Sequence, residues 1–329
     1  MDEPALSAEE CVDILYTLVL GRPADAAGRA HWINVLGLSG DATAVLAGLM
    51  ASDEARGRND GSRHACDELG QRALQLLGRP PRVVDVGAQD LVDEQHVYAG
   101  LGGRLGEDVI GFDPLEDRLR QRQQTGTGSM DLLPYALGDG REHLLHINND
   151  DATSSLFPLN DRHNASFNHL STLRTVRTQA LRTRRLDEVL PDGPVDFLKL
   201  DVQGAELLVL QGGPQTLART AAVHCEVEFA PIYSGQPLAA DVDRHLRAAG
   251  FVLIDYLVPV RYSYLVHSHR NAPDRLLWAD AVYMRETMDP EMLFAQALVA
   301  AHIYGKPTLA EHLLERAVES VASSVNRAR

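Results

Sequence analysis

The residues that could carry chemistry sit at the ends of short apolar runs. Asp85-Val86-Gly87-Ala88-Gln89 closes the β-branched run that starts at Val83, and Asp113 closes a second run, Val109 to Phe112, about 28 residues later. In an open parallel sheet, ligands lie outside the carboxyl ends of the strands. A glycine at the first turn lets the backbone approach a cofactor, and an acid ending the next strand accepts hydrogen bonds from ribose hydroxyls. Asp85, Gly87 and Asp113 therefore suit a nucleoside cofactor, although a strand-ending aspartate can equally cap a helix. The chain has no GxGxxG, which counts against a nicotinamide cofactor held through its pyrophosphate.

A second group follows. Phe197-Leu198-Lys199-Leu200-Asp201 ends another apolar run, and Gly204-Ala205-Glu206 opens a helical segment. Asp201 is the stronger functional candidate, because Glu206 is accounted for by the positive N-terminus of its helix, a contribution of about 0.3–1 kcal/mol. In Cys225-Glu226-Val227-Glu228 the period of two puts both glutamates on one face, and at least one is expected at the cleft. Carboxylates there can take a proton from a weak nucleophile such as a hydroxyl. Clustered carboxylates are also hard-cation ligands, so magnesium is the alternative, and no metal ligand set is assigned. The 13 histidines lack HExxH spacing, so no zinc site is expected. His163 is the reserve base.

These residues need a scaffold, and the patterning supplies one. Apolar runs at 83–86, 109–113, 195–200, 222–227, 251–256 and 279–284 alternate with helical stretches such as 205–210 and 239–249. Such alternation implies a doubly wound, Rossmann-like α/β sheet. Before it, a capping box at Ser7 to Glu10 and N-caps at Asp25 and Asp41 open three or four short helices, and the polar stretch 52–61 reads as their exit. After Glu286, two helical patterns flank Gly305-Lys306-Pro307. The expected organisation is a helical module over 1–60, the α/β domain over 61–286 and a C-terminal helical hairpin over 287–329.

Composition narrows the partners. The 329 residues are 45% hydrophobic and 23% charged, as in ordinary folded proteins. Lys plus Arg is 31 and Asp plus Glu 46, a net charge of −15, which disfavours nucleic acid and anionic membranes as main partners. No apolar stretch is long enough to span a bilayer and no leader pattern opens the chain, so a cytoplasmic location is expected. The three scattered cysteines indicate neither disulfides nor zinc. Against the overall charge, Arg162, Arg174, Arg177, Arg182, Arg184 and Arg185 fall in a stretch without acids. A solvated strand face explains them, and an anion site for a phosphate-bearing acceptor is the alternative.

The set VVDVGA, GFDP, YALGD, TSSL, RRLDEVL, VDFLKLDVQGAELLVLQGG and CEVEFAPIY, in that order over about residues 80–286, resembles the FkbM family of S-adenosylmethionine-dependent O-methyltransferases. Separately, LYTLVLGRPADAAGRAHWINVL followed by MASDEAR resembles a small helical domain of unknown function, similar to phycobilisome linkers, that accompanies such enzymes and glycosyltransferases. The first resemblance implies S-adenosylmethionine as cofactor. Asp85, Gly87 and Ala88 would line its methionine end, Gln89 the following loop and Asp113 the ribose. Ala136 and Leu137 would flank the adenine, Ser154 and Ser155 the active-site mouth, and Asp201 the reacting methyl. Gln89-Asp90-Leu91 departs from the family's DxGANxG. The implied reaction is methylation of a hydroxyl on a sugar, glycan, glycolipid or secondary metabolite, with Asp201, Glu226 or Glu228 as base. A homo-oligomer stays open. The alternatives are a binding protein without turnover, suggested by the altered loop, and an enzyme that modifies nucleotide-sugars.

Overall fold

The structure, a computed structural model, describes residues 7–9, 12, 13, 15, 16, 24–39, 44, 45, 48, 49, 51–87, 96–104, 109–114, 130–267 and 272–327. The chain divides into two units, Met1–Glu68 and Leu69–Arg329.

In the first unit, helix α1 (Ala26–Ser39) starts at Asp25, whose Oδ1 accepts from the Gly28 amide at 2.8 Å. Asp25 is thus the expected N-cap. Val12, Tyr16, Ala24, Val45 and Leu49 form a small core with Trp32, Ile33 and Leu36 packed beside it. Arg29 clasps Asp13, with Nη2 2.7 Å from Oδ2. Glu10 of the capping box, Cys11 and Asp41 lie outside the described residues.

The polar stretch 52–61 is not an exit loop: helix α2 runs unbroken through Asp53–Leu77. Each interior glycine costs a helix only about 1 kcal/mol. Gly57 and Gly61 are carried because the later half buries Cys66, Ala73 and Leu77. The two units part between residues 68 and 69, so the expected boundary at residue 60 falls inside this helix.

In the second unit, β1 (Val83–Val86), β2 (Val109–Phe112), β3 (Met130–Leu133), β6 (Val195–Leu200), β7 (Thr220–Glu228), β8 (Phe251–Tyr262) and β9 (Arg275–Arg285) form one seven-stranded sheet ordered β3-β2-β1-β6-β7-β9-β8. Neighbours from β3 to β7 pair in parallel, and β9 runs antiparallel to both β7 and β8. This is a Rossmann-like, doubly wound sheet with one reversed strand. The central strands are buried on both faces, as continuous apolar runs in parallel sheets are: Val84, Val86, Leu198, Leu200, Val223, Cys225 and Val227 belong to one core cluster. Helices α3 (Glu206–Gln211) and α4 (Ala239–Ala248) pack on that core. The order of the chain reverses between β1 and β6, and a ligand site is expected there.

β4 (Glu142–Asn148) and β5 (Thr175–Arg182) form a separate antiparallel ribbon. Its β5 strand is mostly exposed, in keeping with a solvated arginine-bearing face. The C-terminal helical hairpin is present as expected, α5 (Pro290–His302) and α6 (Pro307–Arg327), and α5 packs on β6 and β7. Gln296, 1% exposed, donates through Nε2 to the carbonyls of Ala221 at 3.0 Å and Arg285 at 2.8 Å. Among the described residues no helix is long and apolar enough to cross a membrane.

Replacing Gln296 by Leu leaves two buried carbonyls without that donor. The loss is expected to cost about 1–3 kcal/mol, read as a fall of roughly 3–10 °C in the thermal midpoint of the second unit.

Candidate active site

At the switch point a cavity of about 320 Å³ opens above the carboxyl ends of β1, β2 and β6. Gly87, Asp113, Ala136, Leu137, Ser154, Ser155 and Asp201, all expected at the site, share its wall. Phe112, Tyr135, Leu145 and Leu181 add an apolar side. Ala88 and Gln89 lie outside the described residues.

Gly87 has φ +84°, a conformation natural to glycine. A Cβ built there would lie 1.9 Å from the Asp201 carbonyl oxygen, so the glycine lets the loops after β1 and β6 pass in contact. The Asp201 amide donates to the Val86 carbonyl at 3.0 Å and the Gly87 amide to that of Phe112 at 3.1 Å.

Asp85 is not on the cavity wall. Its carboxylate is wholly buried, in register with Lys199 of the neighbouring strand. Lys199 Nζ stands 3.3 Å from Asp85 Oδ1 and 3.6 Å from Asp201 Oδ2. Tyr98, in the 3₁₀ segment Val97–Arg104, donates to Asp85 Oδ2 at 2.8 Å. The His96 ring stacks on Tyr98 and sets Nδ1 3.6 Å from the same oxygen. A charge this deep needs such company, so Asp85 acts by holding Lys199 and His96, which do line the cavity.

The turn after β6 is tightly specified. Glu206, 2% exposed, accepts through Oε1 from the amides of Val202 at 2.8 Å and Gly204 at 3.2 Å. Between them Gln203 takes φ +56°, a left-handed conformation that costs a non-glycine residue about 1–3 kcal/mol. Its side chain shows what the strain secures. Nε2 donates to Asp201 Oδ1 at 2.9 Å and to Glu226 Oε2 at 3.1 Å. Oε1 accepts from the Tyr233 hydroxyl at 3.1 Å. The Ser155 hydroxyl donates to the Gln203 carbonyl at 2.6 Å, so this serine ties the Ser154-Ser155 loop to the Asp201 turn.

The acids divide into two states. Burial works to raise the Asp201 carboxyl, but Lys199, helped by hydrogen bonds from Glu226 and Gln203, outweighs it and holds the group below the ordinary carboxylate range. Burial pushes Glu226 well up, and the charges of Asp201 and Glu228 add to that. A protonated Glu226 therefore donates to an ionised Asp201. Burial likewise raises Glu228, with Glu206 next in effect. Burial also pushes Glu206 up to about 7 against its two amide donors. Burial would lower the Lys199 ammonium, yet Asp85 and then Asp201 raise it.

Neither glutamate of β7 reaches the wall. Glu226 stands behind Asp201, and Glu228 is 3% exposed and hydrogen-bonded to Gln236. His163 is not brought to the cavity at all: its ring lies against Phe167 and its Nδ1 3.2 Å from Asn164 Oδ1. Conversely, His96, Tyr135, Lys199, Gln203, His224 and Asp280 line the wall without having been singled out as site residues. Tyr135, Lys199 and Gln203 stand inside the family-like segments YALGD and VDFLKLDVQGAELLVLQGG, whereas His96, His224 and Asp280 lie outside all of them. Of the six arginines, Arg184 lies 5.5 Å from the ring centre of Tyr135. Among the described residues no three His, Cys, Asp or Glu side chains converge as a metal-binding group.

The sheet order and the switch-point cavity place the second unit among Rossmann-like α/β folds with a ligand site at the carboxyl ends of the strands. Residues 85–253 match the methyltransferase FkbM domain, and residues 3–59 match a domain of unknown function, DUF4214. The chain belongs to the FkbM methyltransferase family. It is 30% identical over 185 residues to the 2-O-methyltransferase NoeI of Sinorhizobium fredii (strain NBRC 101917 / NGR234), covering 53% of this chain and 74% of that one. Among solved structures, the magnesium protoporphyrin IX methyltransferase ChlM of Synechocystis PCC 6803, with bound S-adenosylmethionine, aligns over 87% of this chain and 100% of its own, at 13% identity and a TM-score of 0.30.

Glu206 makes stability depend on pH. A carboxyl raised from 4.5 to about 7 on folding stabilises fully below its unfolded value, and that contribution is lost as pH climbs through about 7. Glu206→Gln has no such loss. Denaturant titrations should show the parent losing on the order of 2–3 kcal/mol relative to the variant between pH 4.5 and 8.

Proposed function

We propose that this methyltransferase is S-adenosylmethionine-dependent and methylates a hydroxyl of a carbohydrate, in a glycan or glycolipid. The observation that carries this reading is Asp201: an ionised carboxylate on the cavity wall, 38% exposed, fixed by Lys199 and Gln203. The relative that acts as a 2-O-methyltransferase supports oxygen as the acceptor atom. A hydroxyl on a secondary metabolite is the second reading, since the cavity wall carries apolar as well as polar groups.

The residues present fit the cofactor. Asp113, 3% exposed at the end of β2, would accept from the ribose hydroxyls. Phe112, Ala136 and Leu137 offer the apolar surface a purine needs, and the turn at Gly87, with His96 and Lys199 beside it, would receive the amino-acid end. When bound, S-adenosylmethionine supplies an electrophilic methyl group on a sulfonium. The chain's task is then to hold an oxygen in line and remove its proton. Asp201 can do both, because one oxygen is fixed by Gln203 and the other faces Lys199 without a short hydrogen bond. Neutral Glu226 behind it keeps the charge on Asp201.

Two measurements test this. Titration with S-adenosylmethionine should show Asp113→Ala binding about 10- to 150-fold more weakly, the range for a hydrogen bond to a charged group. On an identified acceptor, Asp201→Asn should lower kcat by about 10²-fold or more with little change in cofactor affinity. Activity of the parent should survive chelation. Loss to chelator and recovery with magnesium would instead assign the carboxylates to a cation.

A further inference from the structure

The cavity has a second carboxylate arm that the proposed transfer does not use. His224 on β7 and Asp280 on β9 both line the wall. His224 is in register with Lys199 on one side, and Asp280 is in register with Glu226. The His224 side chain is 5% exposed and that of Asp280 30%, with His224 Nε2 3.5 Å from Asp280 Oδ2. On the far side, His224 Nδ1 lies 3.1 Å from the hydroxyl of Tyr304, in the turn between α5 and α6. The two rings are nearly parallel at 11°, and Tyr304 also meets Phe197 beneath the sheet.

The hydrogen-bonding roles follow from what each group can do. Nε2 faces the Asp280 carboxylate at 3.5 Å and Nδ1 the Tyr304 hydroxyl at 3.1 Å. A carboxylate only accepts, so the Nε2–H tautomer is the one that directs a hydrogen at Asp280 and leaves the Nδ1 lone pair for the Tyr304 hydroxyl. Burial pushes the Tyr304 phenol up, and the charge of Asp280 acts in the same sense, so the tyrosine keeps its hydrogen. In that tautomer the donors run one way, from Tyr304 through His224 toward Asp280. Lys199, one strand away, is already shared by Asp85 and Asp201, and His224 is the group that fixes the free carboxylate.

We propose that Asp280 is a second acceptor-binding carboxylate, aimed by His224 and Tyr304, and that the acceptor is a neutral polyol gripped on two sides. This rests on the reading of the cavity as the site of hydroxyl methylation. Asp201 ends β6 and Asp280 sits on β9, with only β7 between them. At about 4.8 Å per strand their backbones are about 10 Å apart, the width of a sugar ring with its hydroxyls. Asp201 takes the reacting hydroxyl, and Asp280 accepts from another hydroxyl of the same ring. Tyr304 makes the C-terminal hairpin part of substrate recognition.

The test uses the full chain with S-adenosylmethionine and a panel of neutral methyl glycosides and short oligosaccharides, reading S-adenosylhomocysteine release. Asp280→Asn should raise acceptor KM by about 10-fold or more, with kcat falling less than KM rises and cofactor affinity unchanged. His224→Gln, whose amide nitrogen replaces Nε2, should keep most of the parental KM. His224→Asn, which reaches only the Nδ1 position, should behave like Asp280→Asn. A parental KM in Asp280→Asn overturns the assignment while leaving the methylation reading intact. Failure of the parent to methylate any sugar removes the carbohydrate reading and the Asp280 role with it. Independently of any acceptor, long-range ¹H–¹⁵N correlation should show the Nε2–H tautomer at His224, and an Nδ1–H tautomer would overturn the orientation of Asp280.

Discussion

The Lys199 ammonium, between Asp85 and Asp201, is the interaction on which the rest of the site depends. β1 and β6 are neighbours across the point where the sheet order reverses, and register sets Asp85 beside Lys199. Buried ion pairs seldom add net stability, but removing one partner of such a pair costs about 3–5 kcal/mol because the other charge is stranded. The value of this arrangement is electrostatic. Asp85 neutralises most of what the lysine would otherwise cost. The remaining field falls on Asp201, where it overcomes burial and keeps the carboxylate ionised. Through Tyr98 and His96, the same buried aspartate also positions the 3₁₀ segment that walls the cavity.

Backbone geometry makes that placement possible. The loops leaving β1 and β6 touch at Gly87 and Asp201, and any side chain at 87 would push them apart. On the β6 side, left-handed Gln203 and Gly204 turn the chain sharply enough for Glu206 to collect two amides while the Gln203 amide faces back toward Asp201 and Glu226. Strain at Gln203 persists because its side chain, its carbonyl and both flanking amides are engaged. A glycine there would relieve the backbone and lose every side-chain bond that aims Asp201.

Much of this was legible in the chain. Mostly apolar runs ending in Asp-x-Gly or Asp marked β1, β2 and β6, since buried parallel strands announce themselves as apolar segments. What escaped was set by tertiary contact. Met130–Leu133 is short and β4 mixes histidine and glutamate with leucine, so neither has a clear period. Helix α2 overrides its own glycines. Asp85 carries the family motif, yet its side chain serves as the buried support of Lys199. His224 looked like one of many histidines, because its partners Asp280 and Tyr304 follow it by 56 and 80 residues along the chain. His163 sits near the Ser154-Ser155 loop in sequence, but its ring belongs to the Phe167 cluster.

Residues of one chemical type thus hold different charges within a few ångströms. Environments that push neighbouring carboxyls apart assign roles to them. At the end of β6 the aspartate is close enough to Lys199 to stay ionised and exposed enough to meet a ligand. Two residues along β7 from His224, the Glu226 carboxyl is off the cavity wall and gives its proton to the shared hydrogen bond with Asp201. Exchanging the two residue types would not exchange their roles. A longer side chain at 201 would move the carboxylate off both Lys199 and Gln203, and a shorter one at 226 would leave the Gln203 amide with one acceptor instead of two. The sequence Lys-Leu-Asp, with Gln203 two residues on and Glu226 on the next strand, therefore works as a unit. It keeps a negative charge at the end of β6, held by Lys199 on one side and by the Gln203 amide on the other.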